Sequence, residues 1–121
     1  MAIIACGYGL ALAIEAAETL KAAGVAARVV NMSTVKPLDE EAVLAAAVDC
    51  GAIVTVEEHS IIGGLGEAVA GVLARKRPAP LEFVGVSDTF GESGEPAEIL
   101  EKYGLTGRHV VEAARRAVAR K

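Results

Sequence analysis

One short stretch, Val56 to Ala74, concentrates the residue types that perform acid–base chemistry. Glu57, Glu58 and His59 could supply an acid, a base and an orienting partner, as general acid–base catalysis requires. Adjacent residues of an extended strand point to opposite faces, so Glu57 and Glu58 cannot both face one substrate unless the strand has already ended. At most one of these carboxylates is therefore expected to share a pocket with His59.

The same stretch contains glycines at the point where an apolar helix is expected to begin. A helix N-terminus exposes backbone N–H groups, and glycine allows the positive φ that a tight anion-binding loop needs. The candidate anion-site residues are Gly63, Gly64 and Gly66. A small anion or a nucleotide could bind there, and a tight turn between a strand and a helix is the alternative.

Glu58 and His59 have no evident catalytic partners in the rest of the sequence. The chain lacks a nucleophile elbow, a Walker loop, a zinc-binding H-E-x-x-H and a C-x-x-C pair. The sequence therefore favours a contact at an interface, or a structural hydrogen bond, for Glu58 and His59. Direct acid–base catalysis by these two residues is the less favoured hypothesis.

A second glycine pattern follows the first predicted strand. Gly7 and Gly9 match the start of the dinucleotide-binding motif G-x-G-x-x-G, but its third position is Leu12, whose bulk opposes the close approach of helix and strand. The second predicted strand ends near Asn31 rather than the acidic residue that would hold a ribose. A plain strand-to-helix turn is therefore favoured over nucleotide binding.

Short apolar strands that alternate with helices must position these residues. The predicted strands cover 2–5, 27–32, 52–56 and 81–86, and each is nearly continuously apolar, as in strands buried on both faces of a parallel sheet. The order predicts a three-layer α/β/α domain over residues 1–121, with a mainly parallel, doubly wound sheet in the strand order 2-1-3-4.

Helical periodicity and end signals fill the segments between the strands. The residues predicted to face the core are Leu10, Ile14, Ala17 and Leu20, then Val43, Leu44, Ala47 and Val48, then Leu65, Val69, Val72 and Leu73, and finally Val110, Val111, Ala114 and Val118. Gly24 and Gly51 are predicted C-terminal caps, Asp39 begins an acidic first turn, and Thr106 caps the last helix. A further short helix is expected over about 96–103.

Composition excludes several classes of protein. The 121 residues are 53% hydrophobic, yet no apolar run approaches the roughly 20 residues of a membrane span. A net charge of -4 without a basic stripe argues against a nucleic-acid partner. Cys6 and Cys50 lie beside apolar runs and no signal peptide is evident, which predicts a reduced, cytoplasmic setting.

Three further side chains are candidate functional residues. Lys36 could line the rim of the sheet, although a solvated lysine is the more common outcome, and Phe90 could dock on another surface or plug its own domain. His109 is expected to be solvated or to cap the last helix.

Three segments resemble the C-terminal domain of transketolase, and they have the order and spacing that this family shows. They are VNMSTVKPLD (30–39), TVEEHSIIGGLGEAVAGVLA (55–74) and VSDTFGESGEPAEILEKYGLT (86–106). The similarity runs from about Ile3 to Val110 and is closest to the split or short form, in which this region ends the smaller subunit. The same domain type closes deoxyxylulose phosphate synthase and the beta subunit of 2-oxoacid dehydrogenases.

The resemblance implies an assembly role within a larger enzyme. Transketolases use thiamine diphosphate and a divalent metal ion to transfer a two-carbon ketol unit between sugar phosphates, and the two preceding domains hold those groups. The resemblance thus implies that this domain contributes no catalytic, cofactor-binding or metal-binding residue, is inactive alone, and supports a homodimer together with the remaining transketolase domains or subunit. Because the first strand begins at residue 2 yet should be central, the chain is expected to be part of a longer chain or assembly.

Overall fold

The computed structural model describes residues 1–33, 37–60, 64–86 and 105–121, with the backbone alone described at 58–60 and 86. The strands are β1 (Ala2–Ala5), β2 (Arg28–Asn31), β3 (Ile53–Ser60) and β4 (Leu81–Val86). The helices are α1 (Gly9–Ala22), α2 (Glu40–Cys50), α3 (Leu65–Lys76) and α4 (Gly107–Ala119). Lys36, Phe90 and the helix predicted over 96–103 lie outside the described residues.

The sheet has the predicted order, β2-β1-β3-β4, and each of its neighbouring pairs is parallel. Ile3 of the central strand β1 lies between Val29 of β2 and Val54 of β3. The strand β3 is longer than expected, because it continues to Ser60 and its pairing with β4 becomes irregular between Val56 and Ser60. Glu57 and Glu58 therefore belong to a strand that has not yet ended.

Helices cover both faces of the sheet and bury a core on each side, which confirms the three-layer α/β/α prediction. The core between the sheet and helices α1 and α4 includes Ile3, Leu20, Val54 and Val110. The core between the sheet and helices α2 and α3 includes Ile4, Val43, Ile53 and Val69. Consecutive strand residues thus alternate between the two cores, and most strand positions are apolar for that reason.

The predicted helix stripes are right for α3 and partly wrong for the other helices. Leu65, Val69, Val72 and Leu73 of α3 are all buried, as expected. Ile14 of α1, Val48 of α2 and Val118 of α4 are instead 48%, 60% and 36% exposed. Alanines outside the predicted stripes take their place, because the residues that face the sheet or the neighbouring helix include Ala13, Ala16, Ala46, Ala113 and Ala117. Small side chains let these helices approach closely, so hydrophobicity alone points to the wrong residues.

Most of the predicted helix ends are confirmed. Gly51 ends α2 in the left-handed conformation with φ of 76°, and Asp39 accepts a hydrogen bond from the Ala42 N–H at 3.1 Å. Thr106 caps α4 by accepting a hydrogen bond from the His109 N–H at 3.3 Å. Among the helices of the described ranges, none is long and apolar enough to span a lipid bilayer.

Candidate functional site

The carboxyl ends of the central strands β1 and β3 meet at one edge of the sheet, where the sequence places its candidate residues. The Cys6 N–H, just after β1, donates a hydrogen bond to the Val56 carbonyl oxygen at 3.2 Å. Gly7 then takes a φ of 57°, and α1 begins at Gly9. The Gly7 and Gly9 pattern therefore forms a tight turn against β3, as the strand-to-helix interpretation expects.

Glu57 is the most unusual residue at this edge, because its carboxylate is inside the protein. Only 1% of Glu57 is exposed. Its Oε1 accepts a hydrogen bond from the Leu65 N–H at 2.8 Å, and its Oε2 accepts one from the Gly66 N–H at 2.8 Å. These N–H groups begin α3 and have no acceptor within the helix, so Glu57 supplies the acceptors that they lack.

The local sequence explains how Glu57 reaches this position. Alternation along β3 places Ile53, Thr55 and Glu57 on the face that α3 covers, while Val54 and Val56 face the opposite core. Gly66 permits the close approach of α3, since a Cβ there would lie 3.0 Å from Thr55 Oγ1 and 3.2 Å from the Phe83 ring. The helix N-terminus is thus held directly above the end of β3.

The electrostatics of this contact are favourable. A helix N-terminus carries a partial positive charge, which a carboxylate within the first turn complements. The two charge-assisted hydrogen bonds offset the cost of removing the Glu57 carboxylate from water. Glu57 acts as an anion that the chain supplies to its own helix.

Sequence reasoning grouped Glu57 with the acid–base candidates and did not predict this capping role. Two features of the sequence could have indicated this role. A carboxylate stands at the end of an otherwise apolar strand, and the helix that follows has a glycine, without a capping side chain, at its N-cap position. Gly64 is that N-cap, with an extended backbone at φ of -103°, and it provides no side-chain hydrogen bond.

The predicted interface and anion-site residues are only partly described. Glu58 and His59 belong to β3 by their backbone, while their side chains and Gly63 lie outside the description. Gly64 and Gly66 flank Leu65 at the start of α3. An external anion at this helix start would need the N–H groups of Leu65 and Gly66, which already donate hydrogen bonds to Glu57. This contact argues against the predicted anion site, which stays a prediction.

His109 takes the capping alternative that the sequence allowed. Its Nδ1 lies 2.6 Å from Thr106 Oγ1, and the side chain is half-buried at the start of α4. Since Thr106 also accepts a hydrogen bond from the His109 N–H, the pair closes the first turn of the helix. This contact closes the start of α4, whereas the Glu57 carboxylate closes the start of α3.

The described side chains do not form a site for a divalent metal ion. The described part of the chain contains no group of three or more His, Cys, Asp or Glu side chains that could hold a metal. Cys6 and Cys50 are half-buried and form no disulfide.

A cavity of about 340 Å³ lies away from Glu57, between α1 and the edge strand β2. Apolar side chains such as Ile14, Ala17 and Val29 line most of it.

The fold and the edge contact define a doubly wound α/β/α domain in which a strand-end carboxylate caps the following helix. The sequence profile described as "Transketolase, C-terminal domain" matches residues 1–110. The chain therefore belongs to the transketolase C-terminal domain family, as the sequence motifs predict.

Relatives and solved structures agree with this assignment. The chain is 50% identical over 119 residues to the "6-deoxy-6-sulfo-D-fructose transketolase subunit SqwH" of Clostridium sp. (strain MSTE9), and covers 98% of itself and 37% of that protein. It is 45% identical to the "Putative transketolase C-terminal section" of Methanocaldococcus jannaschii, covering 91% of itself and 34% of that protein.

A solved structure described as "Split gene transketolase, inactive beta4 tetramer" matches with a TM-score of 0.94 and 53% identity. The match covers 98% of this chain and 39% of that one. The chain thus spans between a third and two-fifths of the length of these proteins.

Proposed function

We propose that the chain is the C-terminal assembly domain of a split transketolase and has no activity alone. One observation carries this proposal: nearly the whole chain matches one part of a split-gene transketolase subunit, at a TM-score of 0.94. That structure is described as an inactive beta4 tetramer, so self-association and inactivity of that subunit support the proposed assembly role and the proposed inactivity of this chain alone.

In the assembled enzyme, we propose, thiamine diphosphate and a divalent metal ion are held by domains other than this one. The Glu57 contact supports this division, because a carboxylate already accepts hydrogen bonds from two N–H groups at the N-terminus of α3. The role of this domain is then to support a dimer of the complete enzyme in the cytoplasm. Nucleic acid is not a proposed partner, given the net charge of -4.

The assembled enzyme would transfer a two-carbon ketol unit between sugar phosphates, as in the pentose phosphate pathway. The relative with 50% identity is named for a sulfonated ketose, 6-deoxy-6-sulfo-D-fructose. Substrate choice is therefore best tested with both a phosphorylated and a sulfonated ketose donor. The alternative function, a stand-alone module that binds a small anion or nucleotide at Gly63 to Gly66, is less favoured because Glu57 uses the Leu65 and Gly66 donors.

Reconstitution tests the proposal. The chain is mixed with the remaining transketolase domains, thiamine diphosphate and Mg²⁺, and ketol transfer from a ketose donor to an aldose phosphate is measured. We expect activity in the mixture and none with either component alone. Activity of the other domains that is unchanged by adding this chain, together with no complex in sedimentation, would contradict the assembly role.

A further inference from the structure

The strand β4 forms one edge of the sheet, because in the described part of the chain it pairs with β3 alone. The Ile53 N–H donates a hydrogen bond to the Pro80 carbonyl oxygen at 2.9 Å, so this carbonyl faces β3. Backbone groups alternate in direction along a strand, so those of Leu81, Phe83 and Gly85 point away from β3. An open row of this kind is a template on which another strand can pair.

One side chain from the end of α4 occupies the beginning of this edge. Arg120 Nη1 donates a hydrogen bond at 3.2 Å to the Leu81 carbonyl oxygen, which is one of the outward acceptors. The same nitrogen donates to Glu82 Oε2, and Arg116 Nε donates to Glu82 Oε1 at 2.9 Å. Both oxygens of the Glu82 carboxylate are therefore engaged, and this carboxylate holds the Arg120 guanidinium at the edge.

The position of Glu82 explains how Arg120 reaches the edge. Val84 packs in the core that α1 and α4 cover, and Glu82, two residues earlier in β4, lies on the same face of the strand. Arg116 lies in the last turn of α4 and Arg120 is its C-cap, so the two side chains share one face of the helix end. The Glu82 side chain is only 20% exposed, so water and salt screen this contact less than a fully exposed ion pair.

An incoming strand would have to displace Arg120 before it could use the Leu81 carbonyl. Neighbouring strands lie about 4.8 Å apart, so the guanidinium occupies space that the backbone of an added strand would need. Charged side chains at a sheet edge are one of the means by which proteins prevent such pairing.

Symmetric pairing between two copies of the chain would be obstructed twice. An antiparallel pair of β4 strands centred on Phe83 places Leu81 of each copy opposite Gly85 of the other. One Arg120 therefore obstructs each end of this arrangement.

We propose that Arg120, held in place by Glu82, is an edge-blocking residue that prevents β4 from pairing with β4 of a second copy of this chain. The inference concerns the folded chain itself and does not depend on the proposed assembly function. Its effect is on association, because partly exposed ion pairs of this kind contribute only about 1 kcal/mol or less to the free energy of unfolding.

Sedimentation velocity over a range of protein concentrations tests the proposal, at a temperature where circular dichroism shows each variant to be folded. Arg120→Ala removes the edge-blocking side chain. Arg115→Ala is the matched control, because it removes an arginine from the side of α4 that faces α1, where Arg115 lines a groove with Leu20 and Val118. We expect the dissociation constant for self-association to fall at least tenfold for Arg120→Ala and to stay within twofold of wild type for Arg115→Ala.

Hydrogen exchange and a second substitution locate the association. In Arg120→Ala, the amides of Phe83 and Gly85 should become protected as the protein concentration rises, because they would donate hydrogen bonds to the second copy. Gly85→Pro removes an outward N–H without removing a hydrogen bond to β3. Adding Gly85→Pro to Arg120→Ala should therefore return self-association to the wild-type level, which a general loss of stability would not do.

Self-association of Arg120→Ala that does not exceed that of Arg115→Ala, or that persists when Gly85→Pro is added, would overturn the proposal. Slow exchange of the Phe83 and Gly85 amides in the wild-type monomer would also overturn it, since the edge would then be covered without Arg120. If Arg120→Ala does not fold, Glu82→Gln takes its place, because it removes the charge that holds Arg120. At least threefold tighter self-association of Glu82→Gln then supports the proposal, and a smaller change overturns it.

Discussion

Gly9 lies directly against the backbone of Val56, where β3 passes the start of α1. A Cβ on Gly9 would be 2.7 Å from the Val56 carbonyl oxygen and 3.0 Å from its carbonyl carbon. That carbonyl also accepts the Cys6 N–H, so it is fixed by the sheet and cannot move aside at low cost. This close approach is a physical reason for a glycine here.

Gly9→Ala should therefore destabilise the protein. Relief of the overlap requires α1 to move away from β3, which we expect to lower the free energy of unfolding by about 2 kcal/mol. Gly71→Ala is the matched control within α3, because its Cβ would have only the end of the Arg75 side chain nearby, at 4.0 Å. That change should stabilise the protein by roughly 0.5–1 kcal/mol through helix propensity. Urea denaturation measures both, and a Gly9→Ala variant as stable as wild type would contradict the contact.

Truncation of Leu20 and Ile14 tests which face of α1 is buried. Leu20 is fully buried between α1 and the sheet, so Leu20→Ala should cost about 2–4 kcal/mol in unfolding free energy. Ile14 is 48% exposed, and Ile14→Ala should cost less than about 1 kcal/mol. Thermal and urea denaturation would report the difference. Equal losses would mean that Ile14 faces the core, as its place in the sequence stripe suggests.

The ion pair between Glu40 and Lys76 predicts a pH dependence. Lys76 Nζ lies 3.0 Å from Glu40 Oε1, and its hydrogen bond, with its positive charge, holds the pKa of Glu40 below the usual range. Because the pKa of Glu40 is lower in the folded than in the unfolded protein, the ion pair contributes its full stability at pH values above the unfolded-state pKa. This contribution to stability is lost as the pH falls through the folded-state pKa.

Lys76→Gln should raise the pKa of Glu40 toward its usual range. The carboxyl resonance of Glu40, followed by NMR from pH 2 to pH 7, provides the measurement. Lys21→Gln on α1 removes an equivalent exposed charge and should leave the Glu40 titration unchanged. A Glu40 titration that Lys76→Gln does not move would show that the ion pair is absent in solution.

Glu82 on the edge strand β4 joins two arginines of α4. Arg116 Nε donates to Glu82 Oε1 at 2.9 Å, and Arg120 donates to the other carboxylate oxygen. Only 20% of the Glu82 side chain is exposed, so Glu82→Gln should lower the unfolding free energy by about 1 kcal/mol at low salt, and by less in 1 M NaCl. Asp49→Asn breaks an exposed pair with Arg28 and should change stability by less than about 0.5 kcal/mol. Equal, salt-independent effects of the two changes would contradict this ranking.

The sequence alone was sufficient for the sheet and its order, because four apolar runs separated by helical segments leave few right-handed doubly wound topologies. It was also sufficient for most helix ends, since Gly51, Asp39 and Thr106 act through local backbone conformation and local hydrogen bonds. The family followed from three motifs whose order and spacing are properties of the chain itself, and the profile match confirms it.

The tertiary structure decided which residues of each helix are buried and what Glu57 does. Helix stripes failed at Ile14 because close packing favours alanines over larger side chains, and packing depends on distances between elements that no periodicity encodes. The sequence identifies Glu57 only as a titratable residue at the end of a predicted strand. Only the approach of α3, which the small Gly66 permits, turns that carboxylate into the partner of two helix N–H groups.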